Sequence, residues 1–293
     1  MTTAAIQPAR LRLLRWPPAW PLIAGFAVLA VPTALRLATQ AWSEESGAHG
    51  PIILATGAWL IWRQIPQLRV EARAGHPAVT FGLLAVALAL YVFGRAYDFI
   101  TLEAAGLYGA GVAILHAVLG LRALGRLWFP LLYLGFAVPP PSFVLDLVTA
   151  PLKAFVSMAA TKSLALLGLP IARVGVVIFV SHYELLVEDA CSGLNSLVGL
   201  TAISLFYIYV MRGSSWRYAA LLIAFVIPIA ILANIVRIMT LVLITYFLGD
   251  AAAQGFLHVG AGILLFSIAL LLVFGVDHLL LALRGRLSPP QKP

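Results

Sequence analysis

Residues 218–248 hold thirty-one positions and a single charged side chain, Arg237. A stretch that long and that apolar has few places to go. About 20 apolar residues in a helix cross the hydrocarbon core of a bilayer. A helix is also the one single-segment form that satisfies its own backbone there. Shorter runs of the same kind recur at residues 19–35, 51–62, 78–94, 99–119, 127–138, 194–211 and 256–283. With 62% hydrophobic and 10% charged residues, the chain is far from a soluble domain, which is roughly a quarter charged. The expected fold class is an all-α polytopic membrane protein: one domain over residues 1–293, about eight transmembrane helices, and no fused soluble domain.

The net charge of +8 is also what a nucleic-acid binder would carry, but its placement argues otherwise. Thirteen of the 19 basic residues fall on alternate connections, among them Arg10, Arg12, Arg15, Arg63, Arg69, Arg73, Arg122, Arg126, Arg212 and Arg217. That is the positive-inside pattern of a multi-pass protein with both termini cytoplasmic, and it needs no nucleic-acid partner. Residues 19–35 read as an anchor and not a cleaved signal peptide, because Pro32 and Arg36 interrupt the pattern a cleavage site needs. A single cysteine rules out an internal disulfide and a cysteine-based zinc cluster. No metal and no cofactor is expected.

Two stretches depart from the helical pattern. Pro139, Pro140 and Pro141 cannot continue a helix, so the chain turns there. Beyond them, residues 142–169 are apolar yet carry Asp146, Lys153 and Lys162, with prolines at 151 and 170. This reads as interfacial helices whose lysines snorkel. Residues 174–180 and 184–187 read as two short strands about Ser181-His182-Tyr183. Strand backbone is not viable in lipid, so this β-like segment belongs on the extracytoplasmic side, where it delivers the chain to Cys191.

Cys191 sits where that polar segment becomes an apolar helix. A helix N-terminus favours a thiolate; the plainer reading is a small packed residue. Asn234 and Arg237, three apart, share one face of the longest run. A buried arginine there is expensive and faces the bundle interior. It either serves chemistry or pairs with an internal carboxylate such as Glu103. His258 opens the last span beside glycines, as a base or as a capping residue. The topology sends all three to one outer face. A thiol, an imidazole and a fixed cation are the parts that acyl transfer needs.

At these positions the chain resembles the exosortase and archaeosortase family of integral-membrane cysteine transpeptidases. Val-Glu-Asp-Ala-Cys191-Ser-Gly-Leu is similar to the family's cysteine box, Asn234-Ile-Val-Arg237-Ile to its arginine box, and His258-Val-Gly-Ala-Gly to its histidine box. His49-Gly50, Phe129-Pro130 and the three prolines resemble its earlier portions, so the likeness covers about residues 40–275. It implies Cys191, Arg237 and His258 as catalytic residues, with Asn234, Ser192, Gly193, His49 and Glu188 in support. It further implies cleavage of a C-terminal sorting signal (PEP-CTERM-like) on secreted proteins, a recognition motif followed by a transmembrane helix, through an acyl-enzyme on Cys191. The acyl group then passes to an amine or lipid acceptor, or to water. The implied setting is the bacterial inner membrane, with the active site extracytoplasmic and the sorting linked to surface or exopolysaccharide assembly. Glu188 and Asp189 precede the helix, where carboxylates raise a thiol pKa and are expected to cap. Two other readings stand beside this one. In a transporter or polysaccharide-export component Arg237 is a ligand site, against which count the lack of an inverted repeat and of a paired intramembrane acid. A structural scaffold gives no reason for a cysteine at a helix entrance.

Overall fold

The computed structural model describes residues 20–43, 47–180, 183–186, 192–212, 216–249, 251–253, 267 and 270–279. Apart from one small sheet these are mostly helical, and the chain divides into two compact units, residues 1–43 with 50–139 and residues 44–49 with 140–293. Among the described residues four helices are long and apolar enough to cross a bilayer: Ala24–Ala41, Pro77–Ala96, Ile100–Arg126 and Ala224–Leu248. Thr201–Met211 and Leu270–Leu279 are apolar but shorter. The count of eight is therefore not reached among the described residues, and two of the expected spans differ for visible reasons. Residues 51–62 belong to a longer helix, α2 (Gly50–Glu71), whose second half carries Arg63, Arg69 and Glu71. Residues 127–138 contain only an eight-residue helix, α5 (Trp128–Gly135). It rises roughly 12 Å, less than half the hydrocarbon thickness. Phe136, Ala137 and Val138 then tighten into turns, each amide bonding three residues back, ahead of the prolines.

In the first unit α1 (Trp20–Arg36) runs on through a π-helical turn, Leu37–Ala41. Helices α3 (Pro77–Ala96) and α4 (Ile100–Arg126) form a hairpin. Its turn places Asp98 at φ 56°, and the Phe99 amide bonds the Gly94 carbonyl at 2.7 Å. The two helices approach backbone to backbone. A side chain at Gly94 would run into the main chain of Glu103, and one at Gly106 into the main chain of Tyr91. This closeness is how small residues let helices associate where lipid supplies no hydrophobic drive. At the other end Gly120, at φ 76°, breaks α4. There the Arg73 and Gly75 amides bond the carbonyls of Leu119 and Ala117. Helix α2 lies along α5: the hydroxyls of Thr56 and Tyr133 are 2.8 Å apart, and Gly57 leaves room for Leu134.

In the second unit residues 142–166 form one helix, α6 (Ser142–Leu166), which passes through Pro151 without ending. It ends where a glycine permits: Gly168 is at φ 87°, its amide bonds the Ala165 carbonyl, and the Leu169 amide bonds that of Leu164. This left-handed cap satisfies the last carbonyls, and Pro170 follows it. The β-like segment has three strands instead of two, β1 (Ile171–Val174), β2 (Val177–Val180) and β3 (Tyr183–Leu186), in an antiparallel meander of order β1-β2-β3. Gly175, at φ 63°, opens a two-residue turn inside what reads in sequence as one apolar run. The sheet buries Ile178, Val180 and Leu185 against Val156, Ala160 and Leu164 of α6 and Ile238, Leu241 and Val242 of α8 (Trp216–Leu248). The α6 residues are spaced by four, one stripe of a helix. Helix α7 (Ser192–Arg212) packs with α8 and α9 (Leu270–Leu279) about Ile208, Val226 and Val273.

Candidate functional site

Arg237 and Asn234 lie on α8 as the sequence predicts, and both are buried, at 2% and 4% exposure. Ile238, Leu241, Val242 and Thr245 continue the buried surface. Arg237 thus emerges directly beside the core that α8 forms with the sheet and α6. A guanidinium in that position is held away from water, where hydrogen bonding and charge act at low dielectric.

Helix geometry relates this arginine to the start of α7. Helices α7 and α8 are joined by three residues, 213–215, and a link that short makes packed neighbours antiparallel. Measured back from the link, Ser192 lies roughly 30 Å along α7, and Arg237 lies roughly 32 Å along α8. The first residue of α7 and the buried arginine are therefore level to within about one turn. Ser192 and Gly193 are the first two residues of α7, and their side chains lie outside the described set. Cys191, Glu188 and His258 also lie outside the described residues.

His49 is placed, and it is tied to α7. It belongs to the second unit with residues 44–49, although the chain on either side belongs to the first. Its ring rests on Gly199 of α7: a methyl group built on that glycine would lie 3.2 Å from Cβ, Cγ and Nδ1 of His49. Burial lowers the pKa of His49 from the ordinary histidine value of 6.5, so the imidazole is neutral near pH 7. The following residue, Gly50, is itself roofed by the Trp42 indole.

The carboxylate considered as a partner for Arg237 is committed elsewhere. Glu103 is fully buried in the first unit. Its Oε1 accepts from Thr33 Oγ1 at 2.8 Å and from Arg95 Nη1 at 3.2 Å, while Oε2 pairs with Arg36, which also binds Asp98. In the second unit Asp277 is fully buried as well and accepts a hydrogen bond of 2.8 Å from the Tyr207 hydroxyl. The expectation that the chain lacks a paired intramembrane acid is corrected by Glu103, and Asp277 adds a second buried acid. The signal was in the sequence: each is the sole acid of its apolar run, 99–119 and 256–283. An isolated ionisable group in such a run has a partner by physical necessity.

Residues 41–275 match the protein-family model described as transmembrane exosortase. No curated protein and no solved structure matches the chain.

Proposed function

The chain belongs to the transmembrane exosortase family, and from that premise we propose that it is a membrane-embedded cysteine transpeptidase acting through Cys191, Arg237 and His258. The Cys191 thiolate attacks the carbonyl carbon of the scissile peptide bond, and a C–S bond forms as the carbonyl π pair moves onto oxygen. Arg237 donates to that oxyanion. His258 delivers a proton to the leaving nitrogen, the C–N bond breaks, and the substrate remains as a thioester on Cys191. An amine acceptor or water then attacks the thioester, and the thiol is released. The substrate class is a secreted protein whose C-terminal signal pairs a recognition motif with a transmembrane helix. In this reading the chain is multi-pass in the bacterial inner membrane, both termini are cytoplasmic, and the thiol faces the extracytoplasmic side.

The observation that carries the reading is the burial of Arg237 on α8 level with Ser192, the residue after Cys191 in sequence. A fixed cation held away from water at that depth is suited to a developing negative charge, because it needs no reorganisation when the charge appears. Asn234, one turn away on the same face, supports the guanidinium, while Ser192 and Gly193 supply the first free amides of α7. Glu103 does not favour the transporter reading. It is fully buried and already engaged by two arginines and a threonine, which leaves no open site for an ion.

The test is co-expression with a protein ending in a motif, a transmembrane helix and a basic cluster, followed by mass spectrometry of its C-terminus. The wild-type chain yields a new C-terminus and Cys191→Ala yields none. Unchanged processing by Cys191→Ala would remove the cysteine mechanism.

A further inference from the structure

We infer that His49 is a positioning residue for α7, with its imidazole seated on Gly199 so that the turn of helix beginning at Ser192 is held in one place. The inference rests on the reading of Cys191 as nucleophile, and it adds a residue that acts through the helix and touches no substrate. The contact is specific to glycine. Three atoms of His49, including ring atoms Cγ and Nδ1, stand 3.2 Å from where a Cβ at position 199 would be. That separation is inside ordinary carbon contact of about 3.5–4.0 Å, so any larger residue displaces either the ring or the helix.

Both partners of the contact lie in the second unit. Residues 44–49 group with the second unit while residues 42 and 50 group with the first. His49 is thus the last residue of a short excursion, and Gly50, buried beneath the Trp42 indole, begins α2 at once. Gly199 stands about two turns beyond Ser192, the first residue of α7, and a helix transmits a lateral shift along its own axis because its backbone bonds are internal. Fixing Gly199 therefore fixes the helix N-terminal amides that favour a thiolate, and misplacement by about 1 Å at such a site costs on the order of a hundredfold in rate.

The experiment uses the full-length protein in native membranes and a membrane-impermeant maleimide as the probe, so it needs neither a known substrate nor turnover. The second-order rate of Cys191 alkylation at pH 7 is measured for wild type, His49→Ala, Gly199→Ala and the double variant. Total thiol after denaturation and the melting temperature are measured alongside. Both single variants are expected to alkylate about tenfold more slowly, because a displaced helix N-terminus no longer favours the thiolate. Folded protein is expected at wild-type levels. The double variant is expected to fall short of the product of the two single penalties, because both substitutions disturb one contact and only Cβ of residue 49 remains near position 199 once the ring is gone. A wild-type rate in His49→Ala, or penalties that multiply in the double variant, would overturn the inference. If Gly199→Ala does not accumulate, the His49→Ala rate alone decides it. Failure of the cysteine mechanism reads out separately, as processing that survives Cys191→Ala.

Discussion

Replacing Arg237 by lysine separates two roles for a cation that is 2% exposed. As a mere counter-charge, an ammonium keeps the sign and most of the function. As an oxyanion donor it does not, because the guanidinium is a planar fork with five donors and lysine is a compact point charge on a different stem. The burial sets the size of the loss. With water excluded from position 237, no solvent molecule replaces the missing fork, so the penalty approaches that of deleting one oxyanion donor, about 2.7–4 kcal/mol or roughly a hundredfold to a thousandfold in rate. Stability is expected to hold, since the charge remains available to whatever neutralises it. Arg237→Ala removes it and leaves its surroundings uncompensated, which costs about 3–5 kcal/mol if the partner is a buried ion. The assay is the rate of appearance of the processed C-terminus, with membrane-inserted protein quantified in the same samples. The expected pattern is Arg237→Lys made and stable yet at least about a hundredfold slower. A stable lysine variant with near-normal turnover would refute the oxyanion assignment and leave a cysteine and histidine pair.

Three further outcomes are expected. A maleimide that cannot cross membranes labels Cys191 only from the extracytoplasmic face; labelling solely from the cytoplasm would overturn the proposed topology. Glu103→Leu strands Arg36 and Arg95, whose side chains are 17% and 45% exposed, and because both regain some water the cost falls near the low end of the buried-pair range, about 3 kcal/mol. Unfolding in detergent measures it, Arg36→Met with Glu103→Leu is expected to recover most of it, and a fully stable single variant would contradict the pairing. Burial depresses the pKa of His49 below 6.5, so the unfolded chain takes up that proton first. The stability held by neutral His49 is intact above about pH 6.5 and lost as pH falls through the folded-state pKa. Melting temperature of the wild type therefore drops more on acidification than that of His49→Gln, and parallel curves would exclude the effect.

Much of this molecule was legible in its sequence, and the misses share a cause. The apolar run at 218–248 is one helix, and the three-residue spacing puts Asn234 and Arg237 on its buried face. The strand segment before Cys191 is real, but periodicity alone did not reveal that Gly175 divides it, because a two-residue turn inside a β-branched run leaves no polar gap. Residues 142–169 read as more than one interfacial helix, whereas residues 142–166 are one helix that continues through Pro151. The shortness of α5 follows from the turn at Phe136–Val138, which composition does not mark. The partners of Glu103 come from three separate places in the chain, Thr33, Arg36 and Arg95, and sequence spacing carries no information about such meetings. The ring of His49 on Gly199 is of the same kind: a histidine and a glycine 150 positions apart.

The α3–α4 hairpin has a consequence for how the chain enters a membrane. Arg95 and Glu103 are eight residues apart across its turn, so the two opposite charges arrive at the translocon together, on facing ends of helices whose glycines let them close backbone to backbone. As a pair across the turn they enter as a nearly neutral unit, and neither charge has to be accommodated alone. Arg36 emerges from the ribosome earlier, and its partners Glu103 and Asp98 arrive only with the hairpin. The order of synthesis therefore makes the second helical pair a docking station that secures the first span after the fact.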